Sequence, residues 1–458
     1  MEREDLSADD KICAAAAKLD TASAPREWRS VARIVFRRLL LSLPLIVLVA
    51  LGARIGFAWN EGRQLPATVR ATVPFFQETG NVARSLALGK GFSDLFRQGT
   101  GPTAWLTPVY PLLLAGIFRV FGIFTAASFT AAVALNIAFS AAVCVPIFYA
   151  GRKMGGAGVG ATTAWLWAIF PNAIIIPFEW IWDTCLTTLL AALIFWFTLK
   201  LAESQRTPDW LLYGLLWGFA LMTNPALASL LPFFLAWAVW QASSVWLQPR
   251  RALALVALAI LTTVLCCTPW TIRNYAAFHL FVPLRSNFPF ALWLAHNHVW
   301  DPRAPWNARV TAYEQDAKYK RLGENAFMQE KWNGALTFIR THPRLEVDLF
   351  ARRFVAFWAG IDSPVEHFLK TETLSDRMLL LANFLVALGS AGGFILVWLK
   401  RRRYAFLLSA APVGFPWIYY ATQPYVRYRL PIDPILLLLI AVAAATLFRR
   451  GMTQAENA

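Results

Sequence analysis

The sequence predicts an all-α polytopic membrane protein of about ten spans, and three observations predict it. Apolar residues make up 57% of the 458-residue chain, whose mean hydropathy is +0.47. The chain also carries 21 tryptophans, a residue that membrane interfaces favour. Its apolar runs reach spanning length, since a hydrocarbon core of roughly 30 Å needs about 20 helical residues at about 1.5 Å each. A net charge of +16 would point a soluble protein toward nucleic acid. Here Lys and Arg sit mostly in short runs between apolar spans, which reads as topology signal, and no nucleic-acid partner is expected.

Residues 1–38 are polar over most of their length, with no apolar core in the first 32, so they read as a cytoplasmic N-terminal segment rather than a signal or transit peptide. Arg26, Arg29, Arg33, Arg37 and Arg38 precede the first apolar run at 39–59, which is expected to stay as an anchor. Further runs lie at about 124–150, 157–177, 180–201, 209–226, 228–247, 251–270, 377–399, 404–421 and 430–448. The stretch 103–122 is apolar enough to cross but is broken by Pro102, Pro108 and Pro111. Charge decides its reading. If it does not cross, Arg152-Lys153, Arg250-Arg251 and Lys400 to Arg403 all fall in the cytoplasm with the N-terminus. It therefore reads as a helix on or dipping into the outer face.

The same count divides the chain into a membrane core at 39–270 with a first outer loop at 60–123, an outer cap at 271–376, C-terminal spans at 377–449 and a cytoplasmic tail at 450–458. The cap ends in FARRFVAFWAG (350–360), apolar and basic, an expected amphipathic surface helix. Cys13, Cys144, Cys185, Cys266 and Cys267 show no Cys-x-x-Cys spacing, so neither a disulfide framework nor a zinc site is expected.

The first outer loop carries the most information. Gln77-Glu78 opens it, Ala83 and a turn with Gly89 and Gly91 follow, and Pro108 leads into the apolar segment from Pro111 to Gly122. This layout resembles the GT-C superfamily of integral-membrane glycosyltransferases, aminoarabinose transferases and protein O-mannosyltransferases among them. In those families an Asp-Glu pair is followed by a short helix, a Gly turn and a Pro-rich helix of the form PxxPLLLAxxFxxFG. The usual Asp is Gln77 here, so the resemblance leaves the base role to Glu78. PWTIRNY (269–275), FVPLRSNF (281–288) and YVRYRLPIDP (425–434) also look like segments flanking spans in polyprenyl-phosphate-sugar transferases.

Among the residues themselves, Glu78 is a carboxylate that partial desolvation would bring toward general-base range. Glu179 and Asp183, one helical turn apart in PFEWIWDT, sit where ionisable groups are costly unless they face a cavity or a partner. The resemblance favours Asp183 as a second carboxylate facing the first loop. Arg54, Arg273, Arg285, Arg427 and Arg429 map to the outer face or its boundary, against the positive-inside rule, so something negative should hold them. A lipid phosphate suits guanidinium forks. Interfacial anchoring to head groups would hold them equally well. His296-Asn297-His298 has no further ligands at fixed spacing, and no metal or other cofactor is expected. Trp180, Trp182, Trp270, Trp293 and Trp300 fit an interfacial belt or a sugar platform.

The resemblance thus implies a bacterial inner-membrane enzyme with both termini cytoplasmic. It would move a sugar from a polyprenyl-phosphate donor to a lipid, protein or polysaccharide acceptor at the periplasmic face. Glu78 and Asp183 would be catalytic, and Arg273, Arg285, Arg427 and Arg429 would bind the donor phosphate, with Glu179, Arg54 and Gln77 as secondary candidates. A transporter or lipid flippase, or an O-antigen ligase or polymerase of another fold, would also explain a multi-spanning chain with a large outer loop.

Overall fold

The computed structural model describes residues 38–64, 78–96, 99–204, 206–245, 249–297, 315–360 and 374–455. Gln77, His298 and Trp300 lie outside the described residues. Within them the chain is helical, with α1 (Leu43–Gln64), α2 (Glu78–Ala87), α3 (Val109–Phe121), α4 (Ala126–Ala142), α5 (Cys144–Gly155), α6 (Ala157–Ala168) and α7 (Pro171–Glu179) forming the first half. Next come α8 (Thr184–Leu201), α9 (Thr207–Thr223), α10 (Leu231–Val245) and α11 (Pro249–Phe278). After these come α12 (Phe288–Ala295), α13 (Asp316–Thr341) and α14 (Pro343–Ala359). The chain closes with α15 (Leu374–Lys400), α16 (Arg402–Ser409), α17 (Trp417–Ala421), α18 (Val426–Arg429) and α19 (Asp433–Ala455).

Among the described residues, five helical stretches are long and apolar enough to cross a membrane, and six if α6 and α7, bent by 43°, form one span. The sequence led to about ten. The difference lies in runs that are apolar but broken. α9 has 17 residues, and Asn224-Pro225 ends it in a 3-10 turn at Pro225–Leu230 before α10. The run at 404–421 is interrupted by a π-helical turn at Ala410–Gly414 holding Pro412, with Pro416 following Phe415. α3 has 13 residues, so it is about 20 Å long at about 1.5 Å per residue, shorter than a hydrocarbon core. It packs on α2.

Small residues let the long helices touch. A Cβ on Gly160 would lie 2.4 Å from the Phe148 carbonyl oxygen, and one on Gly151 would lie 2.8 Å from the Gly160 Cα, so α5 and α6 meet backbone to backbone. Gly214 and Gly218, four residues apart on α9, do the same against Ala259 and Cys266 of α11. Large apolar side chains such as Leu48, Ile55, Leu253, Leu265, Leu388 and Ile395 remain exposed on the outside of the bundle, the pattern of a lipid-facing surface.

The bundle has two chemically different ends. Lys153 donates to the Leu199 carbonyl (2.7 Å) and pairs with Glu203 (2.9 Å), at the C-terminal end of α8. Arg403 donates to Gln241 (3.1 Å) while Trp237 donates to the Arg403 carbonyl (2.8 Å). The other end of α8, at Asp183, opens on a polar pocket.

Candidate functional site

Five separate segments converge on this pocket, a cavity of about 110 Å³, with Leu106 from the stretch before α3 as one of them. Trp182, Asp183 and Thr184 come from the start of α8, Asn224 from the break after α9, and Arg285 and Asn287 from the segment following α11. Tyr419, Gln423, Arg427 and Tyr428 come from α17 to α18.

Asp183 precedes the first residue of α8, and its carbonyl accepts the Thr187 N–H (2.8 Å). Its side-chain oxygen accepts from Asn224 Nδ2 (3.0 Å), a contact made possible by the helix break that Pro225 enforces. Burial pushes the Asp183 carboxyl up to about 6 against the opposing pull of Arg285, Arg427 and the Asn224 amide.

Glu78 is the first residue of α2, where a carboxylate favours the helix N-terminus. The loop that follows is knit tightly. Gly89 and Gly91 take positive φ (75° and 77°), and Asn81 Nδ2 donates to the Leu95 and Phe96 carbonyls at 3.1 and 2.7 Å. Asp94 accepts from the Gly99 and Thr100 amides at 2.9 and 3.1 Å. Glu78 is recessed yet keeps some exposure; burial raises its carboxyl above the usual range, opposed by its own backbone amide and by the Arg427 charge.

Arg427 is the cation at the centre. Its guanidinium lies over the rings of Trp180 (4.2 Å), Trp182 (4.5 Å), Tyr428 (5.1 Å) and Tyr425 (5.8 Å). The side chain is 7% exposed, and its Nε and Nη1 atoms are buried with no hydrogen-bond acceptor among the described residues. A buried guanidinium in that state calls for an anion, because unpaired buried donors are costly. Arg285 lines the same cavity. It is carried there by a return of the chain after α11, fixed by Trp270 Nε1 to Leu284 O (2.6 Å), Thr271 Oγ1 to Pro283 O (2.9 Å) and Asn274 Nδ2 to Val282 O (3.0 Å).

The remaining arginines are engaged elsewhere. Arg54 is fully buried, donating to Ser140 Oγ (2.9 Å) and to the carbonyls of Ala50, Ala168 and Trp167 (2.9, 3.0 and 3.3 Å), so it closes the C-terminal end of α6. Arg273 donates to the Thr103 and Phe92 carbonyls, both at 2.7 Å, and stacks on Phe92 and Trp270. Arg429 pairs with Asp433 (2.8 Å) and donates to Trp358 O and Asn383. Glu179 ends α7 and is not among the residues that line the cavity. His296 is buried and bonded to Glu346 (2.8 Å) and Arg353 (3.1 Å). Among the described residues no group of three or more His, Cys, Asp or Glu is arranged to hold a metal ion.

Tyr419, Thr422 and Gln423 of the pocket stand outside the sequence reading, and Asn287 and Tyr428 lie in segments it singled out without naming them as site residues. The signal was faint but present, since Gln423 is a polar residue between an apolar run and the Tyr-Val-Arg-Tyr-Arg stretch.

Residues 105–270 match the family model described as dolichyl-phosphate-mannose-protein mannosyltransferase. No curated protein matches the chain. Among solved structures, the oligosaccharyltransferase of Archaeoglobus fulgidus in its apo form superposes with a TM-score of 0.55 at 14% identity, covering 91% of this chain and 51% of that one. The same enzyme in complex with an inhibitory peptide and a dolichol-phosphate gives 0.53 at 14% identity, over 90% and 51%. Its complex with zinc and sulfate gives 0.51 at 13%, over 89% and 49%. The chain thus spans about half the length of these structures. It has the fold of the GT-C membrane glycosyltransferases, with several apolar helices suited to multiple passes through a membrane.

Proposed function

We propose that this chain is a membrane glycosyltransferase that moves a sugar from a polyprenyl-phosphate-linked donor to an acceptor hydroxyl or amine at the periplasmic face of a bacterial inner membrane. The observation that carries the reading is Arg427, a buried guanidinium with two donor atoms free for an anion, electrostatically coupled to both Glu78 and Asp183. The face follows from charge. Lys153 sits at the end of α8 opposite Asp183, and the positive-inside rule favours a basic end as the cytoplasmic one, which supports a pocket at the other face.

In this mechanism the acceptor gives its proton to the Glu78 carboxylate as its oxygen or nitrogen forms a bond to the anomeric carbon. The bond from that carbon to the phosphate oxygen breaks, and its electron pair leaves with the lipid phosphate. Arg427 and Arg285 receive the charge gathering there. Asp183, oriented by Asn224, holds a hydroxyl of sugar or acceptor. Asn287, Gln423 and Tyr428 offer neutral hydrogen-bond partners for the remaining hydroxyls. Arg273, Arg429 and Arg54 act in this account by holding the framework. No step runs through a metal ion.

The test is turnover by purified protein in lipid vesicles given sugars linked to undecaprenyl phosphate, to undecaprenyl diphosphate or to a nucleotide, with a set of acceptors. Free undecaprenyl phosphate released from the first donor carries the reading. Turnover of the nucleotide sugar alone, or of none of the three, removes it.

A further inference from the structure

Glu324 lies outside the pocket, yet its buried carboxylate gathers four hydrogen bonds from three parts of the chain. Oε2 accepts from Thr103 Oγ1 and from the Tyr319 hydroxyl, each at 2.6 Å. Oε1 accepts from the Ala104 amide (2.9 Å) and from Ser286 Oγ (2.6 Å). The Ser286 amide also donates to the Ala104 carbonyl (2.8 Å), so the first outer loop and the return after α11 are tied to each other as well as to Glu324. The residues beside these anchor points reach the cavity: Leu106 on one side, Arg285 and Asn287 on the other. Burial and the adjacent carboxylate hold the Tyr319 hydroxyl well above its usual range, so it stays a donor. Trp105, next to the clamped residues, packs on Phe290, Tyr319 and Phe327, which ties the same point to α12 and α13.

We infer that Glu324 is a positioning residue for the pocket: by clamping Ser286 to the first outer loop it sets where Arg285 presents its guanidinium. The inference rests on the reading that Arg285 and Arg427 receive a lipid phosphate. Arg285 sits on a turn held to α11 by backbone carbonyls at 282–284, and on its far side Ser286 is tied to the first outer loop twice, through its hydroxyl on Glu324 and through its amide on the Ala104 carbonyl. Losing Glu324 removes the side-chain tie and leaves only the single backbone bond to Ala104 of the two, so Arg285 is held less firmly at the pocket while Arg427, braced by four aromatic rings, stays.

The full-length protein in nanodiscs is titrated with undecaprenyl phosphate as wild type, Arg427→Ala, Arg285→Ala, Glu324→Ala and the Arg285→Ala/Glu324→Ala double variant. Hydrogen–deuterium exchange is followed in parallel. The expected result is about tenfold weaker binding for Glu324→Ala, with the double variant no weaker than Arg285→Ala alone, because both changes remove the same contact. Amides at 103–106 and 283–288 exchange faster in Glu324→Ala. Unchanged affinity, effects that multiply in the double variant, or unchanged exchange in both segments overturns the inference. Where Glu324→Ala does not fold, Tyr319→Phe removes one of the four donors and carries the same cycle, with an expected loss of about threefold. Absent binding by wild type sinks the phosphate reading and this role with it. Binding that Arg427→Ala weakens and Glu324→Ala does not sinks this role alone.

Discussion

The Arg427 guanidinium stacks 4.2 Å from the ring centre of Trp180, in an aromatic box that leaves Nε and Nη1 without an acceptor among the described residues. The rings stabilise the charge and fix its plane, but they supply no oxygen. Arg427→Lys keeps the charge and loses the flat fork. It is expected to weaken undecaprenyl phosphate binding about tenfold, and Arg427→Ala about a hundredfold, in a nanodisc titration. Equal affinity for all three proteins would remove Arg427 from the anion site.

The two carboxyls predict a pH dependence. Burial raises Glu78, and a base must be deprotonated to work, so kcat/KM rises with pH and its acid limb falls above the range of an ordinary glutamate. A limb at the ordinary carboxylate range, or a flat profile, would contradict this. Asp183 acts on stability. Its folded pKa of about 6 exceeds its unfolded value of 3.8, so the folded state binds more protons between the two and thermal stability falls as pH rises through that window. In Asp183→Asn that fall shrinks, which a melting series across pH reads directly.

Arg54 separates structure from chemistry. Its four hydrogen bonds end on α1, Ser140 and the last carbonyls of α6, so Arg54→Met strands buried acceptors at a cost of about 3 kcal/mol. A lowered melting temperature with kcat per folded molecule within about twofold of wild type is expected. A selective loss of turnover in a protein that melts like wild type would return Arg54 to the site.

These arginines also mark what a sequence can tell. The helix that Glu78 opens, its Gly turn and the isolated Asp183 are local patterns, visible in spacing and resemblance. Arg54, Arg273, Arg285, Arg427 and Arg429 all look alike in sequence, each a cation in an apolar context that the positive-inside rule leaves unexplained. Geometry divides them: Arg54 spends its donors on carbonyls 113 and 114 residues away, whereas Arg427 faces a cavity. Glu324 was silent for the same reason, since its partner Thr103 lies 221 residues away. The break at Asn224-Pro225 was visible as a helix end, but its service to Asp183 needs the fold.

The central claim is that Glu78 serves as the base of a transferase acting on a lipid-phosphate-linked sugar. The direct measurement compares wild type with Glu78→Ala for release of free undecaprenyl phosphate, on the donor and acceptor that wild type uses, in protein shown to be folded and to bind the lipid phosphate. The account predicts release by wild type and a fall of at least about a hundredfold in the variant. Equal release by both would contradict Glu78 as base, and no release by wild type with any donor would contradict the transferase itself and favour a transporter.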